Sequence, residues 1–161
     1  MVNHELIKKI TLDTFNKELG NTNKILDNLT DEQLVMEIAP GKNSGVYLLG
    51  HLTAVHDHLL PLLGFGDKLF PELHEVFIKN PDKSELAKPT VQQLRKQWNE
   101  VNTILLSKIS ALSVDDLFAK HTSVSDEDFV KEPHRNRLNV IISRISHLAY
   151  HTGQLALLKN S

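Results

Sequence analysis

Apolar residues recur at three- and four-residue spacing along almost the whole chain, and no segment alternates as a half-buried strand does. Four long segments carry this pattern: roughly residues 3–28, 44–60, 90–112 and 136–159. Amphipathic helices of this length bury their apolar stripes by packing against one another. The sequence therefore predicts an all-α fold, a four-helix bundle in which residues 1–161 form a single domain.

Capping residues and turns divide the chain. The second helix begins at Asn43 or Ser44 and should stop at Pro61, and the third begins with a capping box of Thr90 and Gln93. Similar hydroxyl-led turns follow the first and third helices, at residues 29–34 and 112–117, which predicts two similar halves. Residues 64–88 and 119–135 are long connections without a helical pattern, and such segments are often lids or binding loops.

Composition excludes several classes of function. A net charge of −2 and a pI near 6.5 give no basic surface for nucleic acid. No apolar run is long enough to span a membrane, and the first residues lack the pattern of a signal peptide, so we expect a cytoplasmic protein. The chain has no cysteine, so a bound metal must use nitrogen or oxygen ligands. Its nine histidines are the obvious donors.

Two of these histidines, His147 and His151, lie four residues apart in the last predicted helix, where both can point at one ion. A pair at this spacing also arises often by chance in a histidine-rich chain. A helical wheel places the pair on an apolar flank distinct from a main stripe of Ile142, Ile145 and Ala149, which predicts a helix buried on two sides. Ring nitrogens buried there need partners, either a metal ion or hydrogen bonds.

The second helix offers a third histidine, His51, which can point obliquely inward. His58 lies two turns farther on, about 10 Å along the axis, too far to share the ion but able to line the same cavity. His56 falls on the opposite flank, where we expect it to be solvated, and serves as the alternative ligand if the helix is rotated. The other four histidines, in termini or loops, carry no expected role, apart from a possible lid residue at 134.

Other catalytic signatures are missing from the sequence. His4-Glu5 and His74-Glu75 start a zincin motif, but neither is followed by the second histidine. The glutamate and histidine pairs of di-iron bundles, a phosphate-binding glycine loop and a nucleophile elbow are absent as well. A mononuclear histidine site is the remaining metal chemistry.

The chain resembles the DinB/YfiT-like superfamily of four-helix-bundle metalloenzymes over nearly its whole length. The resemblance rests on the Leu-Thr-Asp-Glu-Gln-Leu turn at residues 29–34, Leu-Gly-His-Leu at 49–52 and His-x-x-x-His-x-Gly-Gln at 147–154. It implies one divalent ion, zinc or nickel before iron or manganese, bound by His51, His147 and His151. It also implies a homodimer and the activity of a metal-dependent hydrolase or of an S-transferase that uses a low-molecular-weight thiol such as bacillithiol or mycothiol.

The sequence thus predicts an enzyme that activates water or a thiol at the open position of a metal ion and acts on a small molecule. Asp57 is a candidate for orienting a ligand histidine, and Arg144 either binds an anionic substrate group or is an ordinary surface arginine. Residues 55–57 depart from the family pattern, so no substrate contact is transferred there. The alternatives are a non-catalytic, stress-associated ligand-binding dimer with adventitious metal, and a bundle whose interior histidines are merely hydrogen-bonded.

Overall fold

The computed structural model describes residues 3–160, and all of its regular structure is helical apart from two isolated β-bridges. This confirms the predicted all-α class. In chain order the elements are α1 (His4–Asp27), α2 (Asp31–Leu34), α3 (Gly45–Leu62), a π-helix (Glu75–Lys79), α4 (Val91–Ser110), α5 (Val114–Phe118), α6 (Asp126–Lys131), α7 (Arg137–Leu155) and a 3₁₀-helix (Ala156–Asn160). None of the described helices combines the length and apolarity that a membrane span requires.

The four long helices form the bundle, with α1 packed against α7 and α3 packed against α4. Helix α3 also contacts α7, and this contact brings the histidine-bearing helices together. Buried leucines and aromatic side chains fill the interior in two adjoining clusters, one around Leu52 and Trp98 and one around Phe15 and Ile141. Burying these side chains stabilises the bundle and fixes the relation of α3 to α7.

The two halves of the bundle share an order of elements, except that the second half has an additional helix, α6, in its link. A long helix is followed by a short helix with a capping box, formed by Thr30 and Gln33 in α2 and by Ser113 and Asp116 in α5. An isolated bridge then closes the link just before the histidine-bearing helix: Glu37 with Ser44 precedes α3, and Lys120 with Asn136 precedes α7. The bridge residues Ser44 and Asn136 are also the N-caps of these two helices.

The inward face of α7 differs from the predicted one. Ile142 is 46% exposed and Ala149 is exposed as well, whereas Ile141 and Leu148 are completely buried. The buried stripe includes Thr152, whose hydroxyl lies 2.6 Å from the Thr22 hydroxyl of α1. A stripe chosen by apolarity alone omits this threonine and is displaced around the helix. The prediction that α7 is buried on two sides is therefore wrong for the single chain, and the homodimer stays a prediction.

Two smaller expectations also change. Helix α3 continues through Pro61 to Leu62, because a proline in a final turn removes only one backbone donor, and the chain turns away at Gly64 with φ +76°. The connection at 119–135 is not irregular throughout. It contains α6, whose N-terminus is capped by the Ser125 hydroxyl.

Candidate metal centre

His51 of α3 meets His147 and His151 of α7 in one half-buried cluster. The Nε2 atom of His147 lies 3.1 Å from Nε2 of His51 and 3.2 Å from Nε2 of His151. One ligand atom from each ring falls within 4.8 Å of the other two. The three histidines named from the sequence therefore form a cluster that could bind a metal ion.

Hydrogen bonds at the far side of two rings fix their tautomers. The Nδ1–H of His51 donates to the Phe77 carbonyl oxygen at 2.9 Å, since a carbonyl can only accept. The Nδ1–H of His151 donates to Oε1 of Gln154 at 2.7 Å. With a ring proton held at Nδ1 in each, the Nε2 atoms of these two rings face the centre of the cluster. This is the arrangement in which proteins hold metal-binding imidazoles.

Burial disfavours the protonated form of the two rings on α7, His147 and His151. Burial, and after it the neighbouring His151 and His51, lowers the pKa of His147 to about 3. Burial also lowers the pKa of His151, opposed by its hydrogen bond with Gln154. The Nδ1 atom of His147 is buried without a hydrogen-bond partner among the described residues. No hydrogen bond holds the His147 proton at Nδ1, and either that proton or a cation can lie between the three Nε2 atoms; three neutral imidazole nitrogens that face one another fit a cation.

The segment 64–88 builds one wall of this centre. Its π-helix places the Phe77 ring in the core and the Phe77 carbonyl oxygen beside His51. The Tyr47 ring stacks on His51 at 6.4 Å between centroids, and its hydroxyl donates to the Asn80 carbonyl at 2.7 Å. The ring of Phe77 approaches α3 at Gly50, where no side chain intervenes. The segment predicted as a lid thus supplies a hydrogen-bond acceptor to the site.

Asp57 has a different role from the expected one. Its carboxylate is almost completely buried and accepts the backbone N–H groups of Leu69 at 2.7 Å and Phe70 at 3.0 Å. The prediction that Asp57 orients a histidine is therefore wrong: it anchors the wall segment to α3. The acceptors that orient the rings are the Phe77 carbonyl oxygen and the Gln154 side chain. Of these two, only Gln154 is recognisable from the sequence, by its position three residues after His151.

A cavity of about 160 Å³ opens beside the cluster and gives access to it. His51, His151, Tyr47, Asn43 and the π-helix residues Phe77 and Ile78 are among its lining. His58 and Arg144 lie outside this cavity and line a second one. No residue of 119–135 lines either cavity, so within the described chain this connection is remote from the site.

His56 is completely buried, so the expectation that it is solvated is wrong. Its Nδ1–H donates to Oδ1 of Asn102 at 2.7 Å, and Nδ2 of Asn102 donates to the Trp98 carbonyl at 2.8 Å. Because α3 is covered on nearly every side, a flank that is polar in the wheel still faces a neighbouring helix, here α4. His56 is thereby directed at α4 and is not the alternative ligand.

The buried His56 should make the stability of the protein depend on pH. Burial lowers its pKa to about 4, below the ordinary value of 6.5, so the unfolded chain binds this proton more readily than the folded one. The contribution of His56 to the unfolding free energy is therefore complete above about pH 6.5 and is lost as the pH falls toward 4. We expect the metal-free protein to lose about 2 kcal/mol of unfolding free energy through this group between pH 7 and 5. Urea denaturation of the wild type and of His56→Gln at both pH values measures this loss. An equal loss of unfolding free energy in the two proteins would refute the prediction.

Gln154 should contribute to metal affinity without touching the metal. In Gln154→Ala the Nδ1–H of His151 loses its acceptor, and we expect zinc affinity to fall about 10- to 100-fold. Gln154→Glu keeps an acceptor and should bind zinc at least as tightly as the wild type. Competition against a chromophoric chelator gives both constants. An unchanged affinity in Gln154→Ala would show that the hydrogen bond does not orient the ring.

Comparisons with known proteins agree with this architecture. Residues 14–155 match the family model of the DinB superfamily. No curated protein matches the sequence. A similar solved structure is that of a conserved protein from Enterococcus faecalis, with a TM-score of 0.65 and 18% identity over 94% of both chains. At this identity the likeness concerns the fold alone.

Proposed function

The chain belongs to the DinB superfamily, and we propose that it is a metal-dependent enzyme in which His51, His147 and His151 hold one divalent ion through their Nε2 atoms. The observation that carries the proposal is the pair of hydrogen bonds from Nδ1 of His51 and Nδ1 of His151 to oxygen acceptors. Packing alone would not require both rings to turn the same nitrogen away from the cluster. Three protein ligands also leave a position free, as catalytic sites do.

The donor set favours zinc or nickel. Neutral imidazoles suit zinc, nickel, copper and iron, whereas magnesium and calcium prefer oxygen ligands. Among the described residues the cluster contains no carboxylate and no thiolate. We place zinc and nickel first, with iron and manganese as the other candidates.

When bound, such an ion lowers the pKa of a water or thiol at its open position and so supplies a nucleophile near neutral pH. The acidity of the two possible nucleophiles favours a thiol. A thiol, with an ordinary pKa of about 8.5, needs far less help from a metal ion to ionise near neutral pH than water, whose pKa is about 15.7. No Asp or Glu of the described chain lines either cavity, so the candidate general bases for hydrolysis are His58 and His74 of the second cavity. We therefore propose transfer of a low-molecular-weight thiol to a small electrophilic substrate, with hydrolysis as the second candidate.

The test starts with protein purified without a histidine tag and analysed for metals. We expect about one equivalent of divalent metal and a lower Tm after chelation. Less than about half an equivalent, together with an unchanged Tm after chelation, would overturn the metal site. The metal-loaded and chelated forms are then assayed for conjugation of bacillithiol or mycothiol with 1-chloro-2,4-dinitrobenzene and for hydrolysis of p-nitrophenyl acetate.

Metal-dependent conjugation supports the S-transferase proposal, and metal-dependent hydrolysis alone supports the second candidate. Stoichiometric metal without either reaction favours a non-catalytic binding protein. Activity that survives chelation in full would contradict a role for the metal in the reaction.

A further inference from the structure

A second cavity, of about 250 Å³, lies one helical turn farther along α3 and α7 from the histidine cluster. Its lining consists of Val55, His58, His74, Ile78 and Arg144. Val55 follows His51 by one turn and Arg144 precedes His147 by one turn. Ile78 borders both this cavity and the one that opens on the cluster. A molecule in the second cavity would therefore lie next to the proposed metal position.

Arg144 differs from the other three arginines of the chain. Arg95, Arg135 and Arg137 each form an ion pair with an aspartate or glutamate. Within residues 3–160 no carboxylate pairs with Arg144, and its Nε atom is buried without a hydrogen-bond partner. A partly buried guanidinium without a counterion is costly. An anion supplied from outside the chain would relieve that cost.

The remaining groups around the cavity add donors and no free negative charge. Nδ1 of His74 is buried without a partner among the described residues, and the His74 ring lies 6.1 Å from that of His58. Burial, and after it the cation of Lys68, lowers the pKa of both rings, so that each is a neutral donor at pH 7. Of the nearby carboxylates, that of Asp57 already accepts two backbone N–H groups, and that of Glu75 is paired with Lys79.

We propose that this cavity binds the carboxylate of the small-molecule substrate, with the Arg144 guanidinium as its counterion and His58 and His74 as further donors. The proposal rests on the proposed function, since it places the reacting end of that substrate at the histidine cluster. Arg144 lies three positions before His147 in α7, a rise of about 4.5 Å. Val55 and Ile78 are the apolar residues of the cavity lining, and Ile78 also borders the cavity that opens on the cluster. The substrate class is then a small organic acid with an apolar body and its reactive atom a few bonds from the carboxylate.

The test uses phenylacetate and its uncharged analogue phenylacetamide as probes, titrated by NMR into zinc-loaded and chelator-treated protein. We expect the wild type to bind phenylacetate at least about tenfold more tightly than phenylacetamide. Arg144→Gln should weaken phenylacetate binding at least about tenfold. The matched control Arg135→Gln removes the same charge from a surface ion pair. It should change the affinity for phenylacetate less than about twofold. Arg144→Lys keeps the charge and should retain part of the preference for phenylacetate over phenylacetamide. This variant replaces Arg144→Gln in the test if the Gln variant does not fold.

Equal phenylacetate affinity in the wild type and Arg144→Gln would overturn the proposal, as would a wild type that does not bind phenylacetate. Binding that requires zinc but ignores Arg144 would place the carboxylate on the metal, which overturns the subsite and leaves the proposed function standing. If the protein takes up no zinc but its binding of phenylacetate depends on Arg144, the proposed function is overturned and the subsite stands.

Discussion

We expect His147→Ala to retain less than about a tenth of the divalent metal that the wild type binds. His147 is central to the cluster, since its Nε2 atom lies 3.1 Å and 3.2 Å from the other two ligand atoms. The two histidines left belong to different helices and cannot by themselves complete a site. For the wild type, zinc at a hundred times its Kd adds about 2.7 kcal/mol to the unfolding free energy. In a domain of this size that raises Tm by roughly 5–10 °C, and the variant should show almost none of the rise.

Metal analysis and thermal denaturation with and without zinc measure both effects. The control is His134→Ala, which removes an exposed histidine of the 119–135 connection and should bind zinc as the wild type does. Full zinc occupancy in His147→Ala would show that the ion is bound elsewhere. An equal loss in both variants would show that histidines bind zinc adventitiously.

The second large effect is expected at Gly50. A Cβ atom there would overlap two atoms of the Phe77 ring, Cε1 and Cζ, and lie 2.6 Å from Cδ1, and this ring is completely buried. Gly50→Ala must therefore displace the ring into a filled core, which we expect to cost about 3 kcal/mol of unfolding free energy. The displacement also moves the Phe77 carbonyl away from His51, so zinc affinity should fall together with stability.

Urea denaturation of metal-free protein measures the cost, and Gly20→Ala is its matched control. Gly20 is also inside a helix, but a Cβ atom there meets nothing within 4 Å. Alanine should thus stabilise α1 by about 0.5–1 kcal/mol through its better helix propensity. If the unfolding free energy changes with the same sign and size in Gly50→Ala and Gly20→Ala, the Phe77 ring can move without cost.

The predictable part of the fold is local. Helical spacing predicts the all-α class. The capping box at Thr90 and the hydroxyl-led turn at Thr30 form as expected, because each involves residues only three positions apart. The proximity of His147 to His151 follows from the same local geometry. Errors arose where the inward side of a helix had to be chosen. The helical wheel predicts His56 in solvent and Ile142 in the core, and the structure reverses both.

By itself, the sequence determined which residue types could bind a metal and which helix would carry two of them, since turns and helical spacing depend on near neighbours. The tertiary structure decided the rest. It set the rotation of α3 and α7 that brings His51 to the pair, the burial of His56 against α4 and the isolation of Arg144 beside a cavity. It also supplied the Phe77 carbonyl as an acceptor, and a backbone oxygen has no signature in a sequence. These contacts join residues far apart in the chain, so they depend on how the helices pack and not on spacing along any one of them.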